Sequence, residues 1–241
     1  MSLEKAWLYE KYRLPYAEAA ICDLIDHLGA PSGVADVGAG TGQLARMLAR
    51  RCATVYAIEP DTAMRQVASE VLAPVGGVDL REGSAEHTTL DDQSVDLIVI
   101  GNAFHRFKPE ACAEFRRILR PEGCVALFSY RFTNYEFAAM LFPRLAGLRQ
   151  VAMRIDKAWH KMPLETLFGS RPLKRLNYGQ THIEDWTAFF GAACSGIEAP
   201  DHQDEEFGEF EAIQREVFDA FAVEGQIQIE YETEVVYGQP E

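Results

Sequence analysis

Three glycines alternate through Val34-Ala35-Asp36-Val37-Gly38-Ala39-Gly40-Thr41-Gly42-Gln43-Leu44-Ala45. A run of this kind after an apolar strand lets the chain turn sharply and brings bare backbone against a ligand with no Cβ in the way. The spacing is G-x-G-x-G. It is neither the G-x-G-x-x-G of dinucleotide sites nor the G-x-x-x-x-G-K-[ST] of phosphate-binding loops. Asp36 stands just before the turn, where its charge is unwelcome to a pyrophosphate and tolerable to a cationic sulfonium or amine. The next apolar run ends in Ile58-Glu59-Pro60, and a carboxylate there can accept two hydrogen bonds from ribose hydroxyls. A purely structural tight turn and an exposed acid at a strand end are the plainer alternatives, and the pairing of the two features favours a ligand site. Further on, Asn102-Ala103-Phe104-His105-Arg106-Phe107 carries a histidine. It could serve as a general base or could hold its loop by hydrogen bonds.

These residues need a scaffold, and the apolar periodicity supplies one. Ala20, Ile21, Leu24, Ile25 and Leu28 recur at helical spacing, and Pro31-Ser32-Gly33 ends that helix. Short apolar runs at Val34–Val37, Thr54–Ile58, Val78–Arg81, Val95–Ile100 and Cys124–Tyr130 predict five strands. Helices fall between them: Gln43–Arg51, a helix capped by Asp61 or Thr62 and running through Val71, and Pro109–Leu119, with Pro121-Glu122-Gly123 as its stop. Strand–helix alternation at this spacing predicts a parallel sheet with helices on both faces. Residues 131–170 break the pattern, reading as helical with mixed aromatic and basic residues, and are expected to form a lid on a single domain spanning 1–241. Leu173–Tyr178 is a possible sixth strand. Ile183–Ala193 reads as a helix with Glu184 and Asp185 in its first turn, and Phe207, Phe210, Ile213, Val217 and Phe221 share one face of another. Ile227–Tyr237 alternates apolar and polar residues, as an antiparallel strand with one wet face does.

The 241 residues are 48% hydrophobic and 25% charged, proportions ordinary for a globular chain. The five cysteines are scattered, form no C-x-x-C, and suit reduced thiols in a cytoplasmic protein; no metal site is expected. No apolar run is long enough for a membrane helix. The net charge of −14 is uneven. Residues 198–241 carry 14 acids and one base, whereas residues 131–175 carry 9 bases and 3 acids. An acidic chain repels phosphate backbones, so no nucleic-acid partner is expected. If Arg131, Arg144, Arg149, Arg154, Lys157 or Lys161 point inward, they favour an anionic substrate; outward, solvated charges are the alternative.

With those residues assembled, the chain resembles the class I S-adenosylmethionine-dependent methyltransferases of the small-molecule type (methyltransferase type 11-like), the group that includes ubiquinone/menaquinone and trans-aconitate enzymes. The resemblance runs from about Tyr9 to Ser129. It rests on Val34–Leu44, Ala57-Ile58-Glu59-Pro60, Gly83-Ser84-Ala85-Glu86, Asp96–His105 and Ile118-Leu119-Arg120-Pro121-Glu122-Gly123, where Glu122 departs from the usual Pro-Gly-Gly. It implies an α/β, Rossmann-like seven-stranded sheet, mostly parallel, with an antiparallel last strand and helices on both faces. It implies S-adenosylmethionine as cofactor, S-adenosylhomocysteine as product and a small-molecule methyl acceptor. Carried over by position, Asp36, Gly38, Ala39, Gly40 and Gly42 would cradle the amino-acid part of the cofactor. Glu59 would grip the ribose. Pro60 and Met64 would line the adenine, and Ser84, Ala85 and Glu86 would read its edge. Asn102 and Ala103 would pass beside the methionine moiety. Tyr12 and Arg13 resemble a segment that closes over the cofactor, while Tyr16 is expected to pack structurally. His105 would be the catalytic base, and Trp159 and His160 could line the acceptor pocket. A cofactor-binding module without catalysis and an NAD(P)-dependent oxidoreductase are the competing readings.

Overall fold

A computed structural model describes residues 1–158 and 162–241, so Trp159, His160 and Lys161 lie outside the described residues. The helices and strands in chain order are α1 (Leu3–Tyr12), α2 (Glu18–Leu28), β1 (Gly33–Val37), α3 (Gln43–Leu48), β2 (Thr54–Glu59), α4 (Thr62–Leu72), β3 (Val78–Glu82), β4 (Val95–Gly101), α5 (Ala111–Ile118) and β5 (Leu119–Phe132). There follow α6 (Tyr135–Gly147), α7 (Arg149–Ala158), α8 (Leu164–Phe168), β6 (Lys174–Asp185), α9 (Trp186–Cys194), α10 (Phe207–Phe221) and β7 (Gln226–Gly238). A 3-10 turn, Phe104–Arg106, follows β4. The seven strands lie in the order β3-β2-β1-β4-β5-β7-β6. The pairs from β3 through β5 are parallel, and the late strands run antiparallel, as the alternating C-terminal segment led one to expect.

The chain forms two compact units. The larger comprises Pro15–Tyr130, His160–Tyr178 and Thr233–Glu241, and takes part of every strand. β1 is buried along its whole length, which explains why its sequence is apolar on both faces. Alternate residues of the central strands feed two cores. Val34, Val55, Leu97 and Val99 pack with α2, α3 and α4, and Ala35, Ile58, Ile98 and Ile100 with α5 and α8. Helices therefore cover both faces.

The smaller unit comprises Met1–Leu14, Arg131–Trp159 and Gly179–Glu232. Here α1 packs on α9, and α6 on α7 and α10. Aromatic rings fill its interior: Trp186 stacks on Phe190 at 4.9 Å and meets Phe218 edge-on at 5.5 Å. The 131–170 segment opens with the last two residues of β5 and its described part then carries three helices; α6 and α7 belong to the smaller unit and α8 to the larger.

Some boundaries differ from the sequence reading, and one helix was not expected. β5 begins at Leu119, not Cys124. Val95 pairs with Leu119 and Leu97 with Cys124, so Asp96 alone stands against Arg120–Gly123, a bulge in which Glu122 takes φ +69°. The expected helix Ile183–Ala193 starts at Trp186. Ile183, Glu184 and Asp185 complete β6, and Asp185 caps α9 by accepting from the Ala188 amide at 2.8 Å. Helix α1 had no apolar stripe to announce it; Ala6 is its one buried residue. Among the described residues no helix is long and apolar enough to cross a membrane.

Candidate functional site

In the larger unit, the loops after β1, β2, β3 and β4 leave the carboxyl edge of the sheet, where open α/β folds bind ligands. The first is the glycine turn. The Gly38 and Ala39 amides both donate to the Ile58 carbonyl, at 2.8 and 3.0 Å, tying the turn to the end of β2. Gly38 has φ +73°, and a Cβ there would lie 2.9 Å from Ala103 Cβ and 3.3 Å from Phe107 Cζ. Glycine is thus required both by backbone conformation and by the close approach of the segment after β4. Gly42, at φ +91°, leaves room for Leu72, which a Cβ would meet at 2.8 Å.

Glu59 ends β2 and is 7% exposed. Its Oε2 accepts from the Gly40 amide at 2.8 Å and its Oε1 from the Asp61 amide at 2.9 Å. A carboxylate has about four lone-pair positions, so each oxygen can accept once more. Burial raises the Glu59 pKa, and the Arg106 guanidinium counteracts part of that rise. Asp36, in the middle of the sheet, accepts from the Ala45 amide at 2.9 Å. Burial, reinforced by the neighbouring Glu59, pushes it up to about 7. Beyond Glu59, Asp61 caps α4 through the Ala63 and Met64 amides; Pro60 is exposed and Met64 buried.

The loop after β3 is tightly closed. Ser84 and His87 exchange backbone hydrogen bonds at 3.0 and 3.1 Å, with Ala85 buried between them. Glu86 accepts from the Lys108 amide at 3.0 Å. That bond, together with those from its own amide and the Ser84 hydroxyl, holds its pKa below the usual range against the opposing effect of burial. The base of the loop is held by a network that sequence reasoning missed. The Thr88 amide and hydroxyl donate to Glu114 Oε1 at 2.7 and 2.6 Å, and Arg117 grips both Glu114 oxygens at 2.8 Å. These bonds bring Glu114 down to about 2 although burial acts the other way. The three-residue spacing of Glu114 and Arg117 on a helix was the available signal.

After β4, Asn102 adopts φ +48°, an uncommon conformation for a non-glycine residue. Its amide donates to the Phe128 carbonyl at 2.9 Å, and its side chain donates to the Tyr16 hydroxyl at 2.9 Å. Tyr16 is buried edge-on against Phe128, so its packing role also fixes Asn102. Half-buried His105 sits in the 3-10 turn; Phe107, just beyond, packs edge-on against Phe115 at 6.1 Å.

The four loops thus gather Asp36, Gly38, Ala39, Gly40, Gly42, Glu59, Pro60, Ser84, Ala85, Glu86, Asn102, Ala103 and His105 along one edge. Tyr12 and Arg13 belong to the smaller unit, where Tyr12 fills the space beside Gly191 and Arg13 lies over the Tyr9 ring at 5.1 Å. Four of the nine basic residues of 131–175 pair with acids of the C-terminal segment. Arg131 pairs with Glu232, Arg144 with Glu216, Arg154 with Asp204 and Arg175 with Glu234.

A cradle that a Cβ would fill, a carboxylate with an acceptor position left on each oxygen and a second buried acid together fit a nucleoside bearing a positive charge. Comparison with known proteins agrees. The family model described as "Methyltransferase domain" matches residues 35–127. An uncharacterized methyltransferase of Mycobacterium tuberculosis is 37% identical over 120 residues, covering 49% of this chain and 47% of that one. One from Anoxybacillus flavithermus is 34% identical over 113 residues, covering 45% and 52%. The chain thus spans about half the length of the curated relatives it matches. The fold also matches a solved structure from Anaeromyxobacter dehalogenans, with TM-score 0.65, 21% identity and coverage of 95% and 98%. The YcgJ protein of Bacillus subtilis matches with TM-score 0.57, 18% identity and coverage of 92% and 99%. None of these likenesses singles out the ubiquinone or trans-aconitate subtype. Residues 35–127, which carry these loops, are thus similar to a methyltransferase domain.

Proposed function

We propose that this protein transfers a methyl group from S-adenosylmethionine to a small-molecule acceptor. The observation that carries the reading is the joint held by Glu59: the glycine turn rests on its carboxylate, and each oxygen keeps an acceptor position for a ribose hydroxyl. In this reading Gly38, Ala39, Gly40 and Gly42 present backbone to the amino-acid part of the cofactor, and Asp36 supplies negative charge nearby. Pro60 and Met64 wall the adenine, Ser84, Ala85 and Glu86 meet its edge, and Asn102 and Ala103 flank the methionine chain. Tyr12 and Arg13, which the resemblance also assigns to the cofactor, are part of the same proposal. Bound S-adenosylmethionine supplies a methyl group already activated by its sulfonium, so the protein's contribution is positioning and exclusion of water. For an acceptor that must lose a proton, His105 is the base.

Acceptor choice is assigned to the 131–170 insertion, taken as the lid of a single domain spanning 1–241. An anionic acceptor is the finer form of the proposal. It rests on Arg149 and Lys157, and on Lys161 outside the described residues, since Arg131, Arg144 and Arg154 are engaged by carboxylates. Calorimetry with S-adenosylhomocysteine tests the site, and transfer of labelled methyl into matched carboxylate and neutral acceptors at two ionic strengths tests the chemistry. Binding followed by transfer is expected. A dissociation constant weaker than about 1 mM would refute the site, and a preference for neutral acceptors would remove the anionic form.

A further inference from the structure

The segment Ala103–Lys108 bears on each of the other three loops. Ala103 and Phe107 press on Gly38, whose missing Cβ would meet them at 2.9 and 3.3 Å. Arg106 bears electrostatically on Glu59. The Lys108 amide donates to Glu86 at 3.0 Å. His105 is carried at the centre of this segment, in a turn of only three residues. A turn that short has no helix of its own to hold it, so its placement is set by what its flanks grip. Of these three links to the other loops two are packing or charge, and the segment is also anchored by the Asn102 amide on the Phe128 carbonyl at 2.9 Å and by Phe107 against Phe115. The third, Glu86 to Lys108, is a hydrogen bond from a backbone amide to a charged acceptor, the stronger class of such bonds.

We propose that Glu86 is a positioning residue that couples the placement of His105 to occupancy of the adenine loop. The proposal rests on the methyltransferase reading for the location of the adenine, and it changes the role of Glu86 within that reading. One Glu86 oxygen is engaged with Lys108, so the side chain serves as a strut between two loops as well as a lining residue. A ligand that orders Ser84–Glu86 therefore orders Lys108, and through it the turn that holds His105. The cofactor would accordingly prepare the acceptor side before the acceptor arrives. Coupling of this kind requires an element whose arrangement both sites bias, and the 103–108 turn is that element.

The test needs no acceptor. Histidine-labelled protein is titrated with S-adenosylhomocysteine and the His105 ring resonances, assigned with a His105→Gln variant, are followed by NMR. In the wild type they are expected to shift on saturation. In Glu86→Ala the shift should be abolished, while calorimetry still detects saturable binding and thermal melting shows a folded protein. Glu86 is half-buried and on a loop, so its truncation leaves the core intact. Glu86→Gln keeps an acceptor oxygen and should restore at least half of the shift. A His105 shift in Glu86→Ala equal to that of the wild type overturns the proposal. So does a wild-type His105 signal that ignores a ligand that calorimetry shows to be bound. If the wild type binds no S-adenosylhomocysteine, the methyltransferase reading itself fails, and this proposal with it.

Discussion

Replacing Glu59 by alanine separates a ligand-binding carboxylate from a merely structural one. In the structure this carboxylate already accepts two backbone amides, from Gly40 and Asp61. Truncation therefore has two consequences of different kinds. The first falls on the fold: two amides near a buried position lose their acceptor. At about 1 kcal/mol each the domain should lose roughly 2 kcal/mol, or about 4–8 °C in Tm for a chain of this size. The second falls on the ligand. Two ribose hydroxyls donating to a charged acceptor contribute about 1.5 kcal/mol each at the low end, together about 3 kcal/mol, or roughly 100-fold in Kd. The low end is appropriate because burial already disfavours the ionised form of Glu59. Glu59→Gln retains one oxygen and should fall between, at about tenfold. The assay is calorimetry with S-adenosylhomocysteine, run well below the lowered transition. A Glu59→Ala protein that is folded by circular dichroism, melts several degrees lower and yet binds within about threefold of wild type would refute the ribose assignment. It would leave Glu59 as a brace for the turn and nothing more.

Two further perturbations probe the same joint. Gly38→Ala must hold alanine at φ +73° and push Ala103 away from 2.9 Å; a loss of at least about 2 kcal/mol and of nucleoside binding is expected. Adding Ala103→Gly should recover the steric part in chemical denaturation, and no recovery would contradict the close-approach argument. Asp36→Asn tests burial of charge. The folded-state pKa of about 7 lies above the ordinary value of 3.8. Below about pH 4 both states are protonated and there is no penalty; between about pH 4 and 7 the folded state keeps a proton that the unfolded state has lost. Stability therefore declines as pH rises through that window and levels off above it. The asparagine oxygen can still accept from Ala45, so this variant should match wild type near pH 4. It should exceed wild type near pH 8, by up to about 4 kcal/mol. Equal denaturation midpoints at both pH values would refute it.

The sequence made the scaffold legible where local pattern and tertiary demand agree. β1 and β4 are apolar on both faces because both faces are covered, and Asp61 announced the start of α4 because its side chain caps it. Legibility failed where a long-range partner overrode a local signal. Pro121-Glu122-Gly123 reads as a stop, yet the ladder with β4 extends past it as a bulge, with Glu122 tied to Gln239 at 3.0 Å. Glu184 resembles a first-turn acid, yet it is a buried strand residue whose pKa burial pushes up to about 7. The positive segment 131–175 suggested a charged lid. Four of its bases pair with the acidic end of the chain across 50 to 101 residues, which no window of sequence reveals. At the site, the glycines and Glu59 were legible because each answers to a local demand for close approach or charge. The Thr88–Glu114–Arg117 brace and the Tyr16–Asn102 contact were not, because their partners meet only in the fold.

What distinguishes this edge of the sheet from a generic nucleotide cleft is its charge. Asp36 and Glu59 are both buried, burial raises the pKa of each, and Glu59 adds to the rise at Asp36. Arg106 opposes this only through its field on Glu59. Two such acids repel a phosphate and disfavour each other's ionisation, so a ligand bringing a positive centre and hydroxyl donors relieves both at once. A pyrophosphate would add charge of the wrong sign to a site already short of counter-charge. Glycine spacing alone leaves the ligand open between several nucleotides. The glycine turn resting on Glu59, together with two buried acids satisfied only by backbone amides, supports the proposed cationic nucleoside.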